Sequence, residues 1–153
     1  MANKTEISAE MVQKLREMTS AGVMDCRKAL IEANGDLDEA VKIIHEKGLA
    51  KVEKRAGRET GAGLVESYVH NERIGVLLDI RAETDFVVRS EPFRKLAHDI
   101  VMQISAMAPK DTAELLAQAY IKDESKTIKD LVNEVIAKVG ENISVNQFYR
   151  IEV

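Results

Sequence analysis

Residues 73–81, RIGVLLDIR, place Ile74, Val76, Leu78 and Ile80 in strict alternation with Gly75, Leu77, Asp79 and Arg81. A period of two puts the first set on one face of a β-strand. Such a strand cannot stand alone, because its backbone needs partner strands and its apolar face needs a cover. The chain supplies both. LVESYVH (64–70) precedes it across Asn71-Glu72, which makes a hairpin, and the tail ISVNQFYRIEV (143–153) alternates in the same way.

The cover lies between them. Ser90 is placed to cap a helix that tolerates Pro92 in its first turn. Phe93, Leu96, Ala97, Ile100, Val101 and Ile104 form its apolar stripe, and Pro109 closes it. A short helix is expected from Thr112 to about Tyr120. Thr127 and Asp130 have capping-box spacing. They start a last helix with the stripe Ile128, Leu131, Val132, Val135, Ile136 and Val139, ended by Gly140. A hairpin plus a returning strand gives a three-stranded antiparallel sheet packed with helices, an α+β fold.

Residues 1–48 have only helical periods. Ser8 caps the first helix, with Ile7 and Val12 as a hydrophobic staple and Met11, Leu15 and Met18 on one stripe. The second runs from about Val23 to Ala33 on Cys26, Ala29, Leu30 and Ala33, and Asn34-Gly35 ends it. Asp36 caps the third, with Glu39 three residues on; Leu37, Ala40, Val41 and Ile44 carry its stripe and Gly48 ends it. Each helix is too short to hold alone, so their stripes must meet in one small three-helix bundle. Residues 49–63, LAKVEKRAGRETGAG, read as a helix extension melting into a flexible linker. The organisation expected is therefore a bundle (1–48), a linker (49–63) and an α+β core (64–153).

Composition narrows the function. Hydrophobic residues make up 45% and charged residues 31% of the 153, which is globular, but aromatics are only 4%. A formal net charge of −4 argues against direct nucleic-acid binding, which draws on phosphate neutralisation. The single cysteine, Cys26, makes no internal disulfide and reads as a buried thiol on an apolar stripe. There is no apolar run of membrane-spanning length and no signal-peptide core in MANKTEISAE, so a cytoplasmic location is expected.

Catalytic groupings are absent. His45, His70 and His98 are scattered without metal-ligand spacing. His45 is expected on the outer side of the third helix and His70 in the hairpin turn. GRETGAG (57–63) lacks the lysine and spacing of a phosphate loop. No metal, cofactor or catalytic residue is assigned. One residue stands out instead: in AETDFVVRS (82–90), Phe86, one of only three phenylalanines, sits beside Asp85 at the expected end of a strand. Either it folds back into the core, or it protrudes as an anchor for a partner.

Three segments carry a family resemblance: LREMTSAGVMDCRKAL (15–30), ETDFVVR (83–89) and VGENISV (139–145). In this order and spacing they resemble the signatures of bacterial elongation factor Ts. The chain departs from the usual pattern at Arg27, Asp79, Arg81, Ala82, Val88 and Asn146.

The resemblance implies a ubiquitin-associated-like N-terminal bundle and a guanine nucleotide exchange factor, not an enzyme, whose partner is the GTPase elongation factor Tu. It implies that Thr84, Asp85, Phe86 and Val87 form a tip entering the GTPase near its magnesium and phosphate site. Arg16, Val23 and Met24 would be bundle contacts to the nucleotide-binding domain, and Val139 and Gly140 a second contact. The length resembles the family's short form, with one core half, and open sheet edges then suggest a homodimer. Two other readings are an RNA-binding accessory protein using the basic run Lys51–Arg58, and a small enzyme with an unrecognised site.

Overall fold

A computed structural model describes residues 6–153, which divide into two compact units between Glu53 and Lys54. The first holds α1 (Ala9–Thr19), α2 (Val23–Glu32) and most of α3 (Leu37–Arg55). The caps are those the sequence announces. Ser8 Oγ accepts from the Met11 amide at 3.2 Å, and an Asp36 carboxylate oxygen accepts from the Glu39 amide at 2.9 Å. Gly35 takes the left-handed conformation, φ 86°, where its N–H reaches the Leu30 carbonyl at 2.8 Å. Leu15, Cys26, Ala29, Leu30, Ala33, Ala40 and Ile43 make the core, with Ile7, Met11 and Val12 packed against it.

Two expectations here are corrected. Met18, assigned to the inner stripe, is exposed. And α3 does not end at Gly48 but runs on to Arg55. A mid-helix glycine costs about 1 kcal/mol relative to alanine, which Leu49, Ala50 and Lys51 on its far side outweigh; Lys51 also pairs with Asp25 on α2 at 3.0 Å.

The second unit contains β1 (Ala62–His70), β2 (Ile74–Ala82), α4 (Asp85–Val88), α5 (Glu91–Met107), α6 (Thr112–Ala117), β3 (Ala119–Tyr120), β4 (Asp123–Thr127), α7 (Ile128–Val139) and β5 (Ile143–Glu152). The sheet order is β1-β2-β5, antiparallel throughout, with the predicted hairpin partner on one side of β2 and the tail on the other. Val76, Leu78, Ile80 and Ala82 are buried on one face beside the fully buried Phe93, Ala97, Ile100 and Ile104 of α5. The hairpin turns with both Asn71 and Glu72 at positive φ, and the Arg73 amide closes it on the His70 carbonyl at 3.0 Å. His70 ends β1 rather than sitting in the turn, and its ring meets the Tyr68 hydroxyl at 3.0 Å.

The strand also begins earlier than expected. Gly63, read as linker, belongs to β1 opposite Arg81. A Cβ there would lie 2.7 Å from the Ile80 carbonyl oxygen, so the glycine permits close approach of two strands rather than flexibility. Only residues 56–61 lie outside regular structure between α3 and β1.

The expected helix to Tyr120 stops at Ala117, and a two-stranded ribbon, β3–β4, takes over. The polar run DESKT shows no strand alternation, so only tertiary contacts make it one. Gln103, fully buried on α5, donates to the Ala119 carbonyl at 3.0 Å and accepts from the Ile121 amide at 3.0 Å. One turn away, Asp99 joins Lys95 at 3.1 Å and Lys122, in the ribbon's turn, at 2.9 Å.

Burial opposes ionisation of Asp99, but the two ammonium groups prevail and hold its carboxyl below the ordinary range. A depressed folded-state pKa gives stability that is present above the unfolded value, about 3.9, and is lost as pH falls through the folded one. Asp99→Asn should therefore cost about 1–2 kcal/mol near neutral pH, the lysines being half or more exposed. Its deficit against the parent should narrow below about pH 4. Urea melts across pH 3–7 check this, and a deficit that widens on acidification would refute it.

Candidate functional site: a projecting turn

β2 ends at Ala82, and the chain turns at once into α4. Phe86 therefore stands on a single helical turn after the strand, not at the strand end. It is 84% exposed, which removes the core reading. The same turn buries its other side: Val87 and Val88 are 4% and 6% exposed. Val87 thus faces inward and anchors the turn, while Thr84, Asp85 and Phe86 are on the surface.

Polar bonds fix this turn at both ends. Thr84, its N-cap, accepts the Val87 amide at 3.4 Å, and Ser90 Oγ donates to the Val87 carbonyl at 2.6 Å; Ser90 stands at the N-cap of α5 as expected, but its side chain makes no capping bond there. The loop after α7 supplies the rest. Gly140 caps α7 at φ 78°, as its position implied, and Thr127 and Asp130 form the expected capping box at the helix's other end. Beyond Gly140, the Glu141 carboxylate accepts from the Thr84 hydroxyl at 2.7 Å and from the Thr84 amide at 3.0 Å. Glu83 accepts from the Asn142 amide at 2.7 Å, and Asn142 Nδ2 donates to the Arg58 carbonyl at 2.9 Å. Val139, the last residue of α7, and Gly140, its cap, are both half-buried and directly precede Glu141, which bonds to the turn. Sequence reasoning passed over Glu83, Glu141 and Asn142 because their partners lie 57 to 86 residues away. The only local signal was that all three fall inside the quoted family segments.

Arg16, Val23 and Met24 belong to the other unit. All three are exposed around the corner where α1 hands over to α2, and Met18 is exposed there as well. An apolar group at that corner is more than helix-start packing requires. Among the described residues no group of histidine, cysteine or acidic side chains is placed to hold a metal ion. Among them, too, no helix is long and apolar enough to cross a membrane.

Three positions where the chain departs from the family pattern turn out to touch. Arg81 forms a two-pronged bond to Asp79 at 2.9 and 3.0 Å, and Asn146 donates to the same carboxylate at 2.7 Å. Arg81 first, then Asn146, hold the Asp79 carboxyl below its ordinary range. These three of the six departures form one linked set.

An α+β core with an exposed aromatic on an anchored turn, in one chain with a separate helical unit, has the features of a protein that binds another macromolecule. Comparison with known proteins gives the family. The model of the family described as Elongation factor TS matches residues 83–153. Elongation factor Ts of Thermotoga maritima is 43% identical over 97% of this chain and 96% of its own length. That of Fervidobacterium nodosum is 42% identical over 97% and 98%, and that of Desulforamulus reducens 42% over 97% and 89%. The chain belongs to the elongation factor Ts family, and so to the translation elongation factors. The matched span with the Thermotoga maritima protein runs over 192 aligned positions, more than the 153 residues here, so that relative carries internal residues with no counterpart in this chain.

Proposed function

We propose that this protein is a guanine nucleotide exchange factor: it binds elongation factor Tu in its GDP form, promotes GDP release and leaves when GTP rebinds. The observation that carries the reading is Phe86, 84% exposed on a turn whose underside is buried, in a member of the Ts family. No covalent step is needed. A factor that binds the nucleotide-free GTPase more tightly than the nucleotide-bound form weakens nucleotide by the same factor. Phe86 is the wedge, gaining from burial in a partner pocket. Asp85 beside it brings negative charge toward the magnesium and phosphates, and disturbing that ion removes the largest positive charge holding them.

The N-terminal unit is the docking module, with Arg16, Val23 and Met24 meeting the nucleotide-binding domain. Val139 and Gly140 make a second contact. The protein acts in the cytoplasm and does not bind nucleic acid directly; with a net charge of −4 it has little to offer a phosphate backbone. A second copy covers the sheet, and the exposed Val65, Val69, Leu77, Tyr149 and Ile151 favour its outer face over the expected edges.

The test is release of fluorescent GDP from elongation factor Tu, with the protein added at substoichiometric amounts. Acceleration with many turnovers per molecule is expected. No acceleration, together with salt-sensitive retention on RNA, would favour the accessory-protein reading instead.

A further inference from the structure

Most of the charged side chains near the projecting turn stand at the surface, but Glu141 spends its whole carboxylate on one residue. One oxygen takes the Thr84 hydroxyl proton at 2.7 Å, the other the Thr84 amide proton at 3.0 Å. This matters because a hydroxyl donates one hydrogen and accepts through its lone pairs. With the hydrogen committed to Glu141, the Thr84 oxygen is left to accept from the Val87 amide, which is the bond that caps α4. At 3.4 Å that bond is weak by itself, and a four-residue helix has no length to hold its shape. The shape of the turn carrying Asp85 and Phe86 is therefore set from outside, across 57 residues of sequence, by the loop that follows α7. A second strap runs the same way: Glu83 accepts the amide of Asn142, the residue after Glu141, at 2.7 Å.

We propose that Glu141 is a positioning residue for nucleotide exchange: it holds the Thr84 cap, and through it the orientation in which Asp85 and Phe86 meet the partner. This rests on the reading of the turn as the exchange tip. Rigid presentation is worth affinity because an anchor that is already ordered does not lose that freedom on binding. Glu141 itself needs no contact with the partner.

The experiment uses the full chain and GDP-loaded elongation factor Tu, with Glu141→Ala, Glu141→Gln, Phe86→Ala and the Glu141→Ala/Phe86→Ala pair. Glu141→Ala should slow catalysed GDP release about three- to tenfold, the loss expected when one or two side chains must be ordered on binding. Glu141→Gln, which keeps one carbonyl acceptor for Thr84, should recover part of it. The pair should lose clearly less than the two single losses combined, since with the ring gone only Asp85 is left to position. In the free chain, the Thr84 and Val87 amides should lose protection from hydrogen exchange in Glu141→Ala and not in Phe86→Ala.

Full additivity of the two losses would overturn the proposal, since Glu141 would then be acting on its own. So would unchanged exchange in Glu141→Ala, or unchanged protection of both amides. If Phe86→Ala itself exchanged at the parent rate, the reading of the tip would fall, while the amide protection would still decide whether Glu141 holds the turn.

Discussion

Phe86→Ala is expected to lower catalysed GDP release by at least about 30-fold, the equivalent of roughly 2 kcal/mol for an interface anchor, while moving the melting temperature by no more than about 3 °C. Both halves follow from one observation. A ring that is 84% exposed contributes almost nothing to the fold, so its removal leaves no cavity. The buried members of the same turn, Val87 and Val88, remain to hold it in place. In the proposed reading, the exposed phenylalanine on its fixed base acts in the complex with the partner. Stopped-flow release of fluorescent GDP and a thermal melt make the pair of measurements. A variant that melts far below the parent would mean that Phe86 packs in solution as a core residue. A stable variant with parental exchange would remove the aromatic from the mechanism.

Much of the fold was legible because local rules and tertiary packing agree in it. The stripe Cys26, Ala29, Leu30 and Ala33 is buried as its period demands, and the alternation of β2 picks out the buried Val76, Leu78 and Ile80, with Ile74 at the strand's end only half-buried. The failures share a cause. Gly48 and Gly63 were read by glycine's general tendencies, but one sits within a continuing helix and the other lets two strands close up. The β3–β4 ribbon exists because the side chains of Gln103 and Asp99 reach it from α5, which no window of local sequence contains. The site divides in the same way. Phe86 was conspicuous by its type and neighbour, but whether it pointed in or out depended on Val87 and Val88 filling the space beneath. Glu141 gave no sign beyond its place in a family segment, because its bonds go to a residue 57 positions away.

Leu77→Arg is expected to turn a dimer into a monomer, by an argument that starts from the side of the sheet α5 does not cover. Val65 and Val69 on β1, Leu77 on β2, and Tyr149 and Ile151 on β5 are all exposed, and the strand register places Leu77 opposite Tyr149 and Gly75 opposite Ile151 on that one outer face. Monomeric proteins rarely leave so continuous an apolar surface in water. The face's two charges, Asp79 and Arg81, already neutralise each other, so the surface offers no net charge to a charged partner and does not repel its own copy. Two-fold packing of identical faces is the arrangement that covers all five side chains at once. Leu77 separates this from pairing at the sheet edges, because β2 is the central strand with both neighbours in place. An arginine there leaves edge pairing untouched but puts an unpaired guanidinium inside a face-to-face contact, which costs several kcal/mol. Light scattering at micromolar concentration should give twice the 17.0 kDa of one chain for the parent and 17.0 kDa for Leu77→Arg. Reductant should change neither value, since Cys26 is fully buried within the N-terminal unit. A Leu77→Arg protein that stays dimeric would move the contact to the edge strands β1 and β5, and a parent that scatters as one chain would remove the dimer altogether.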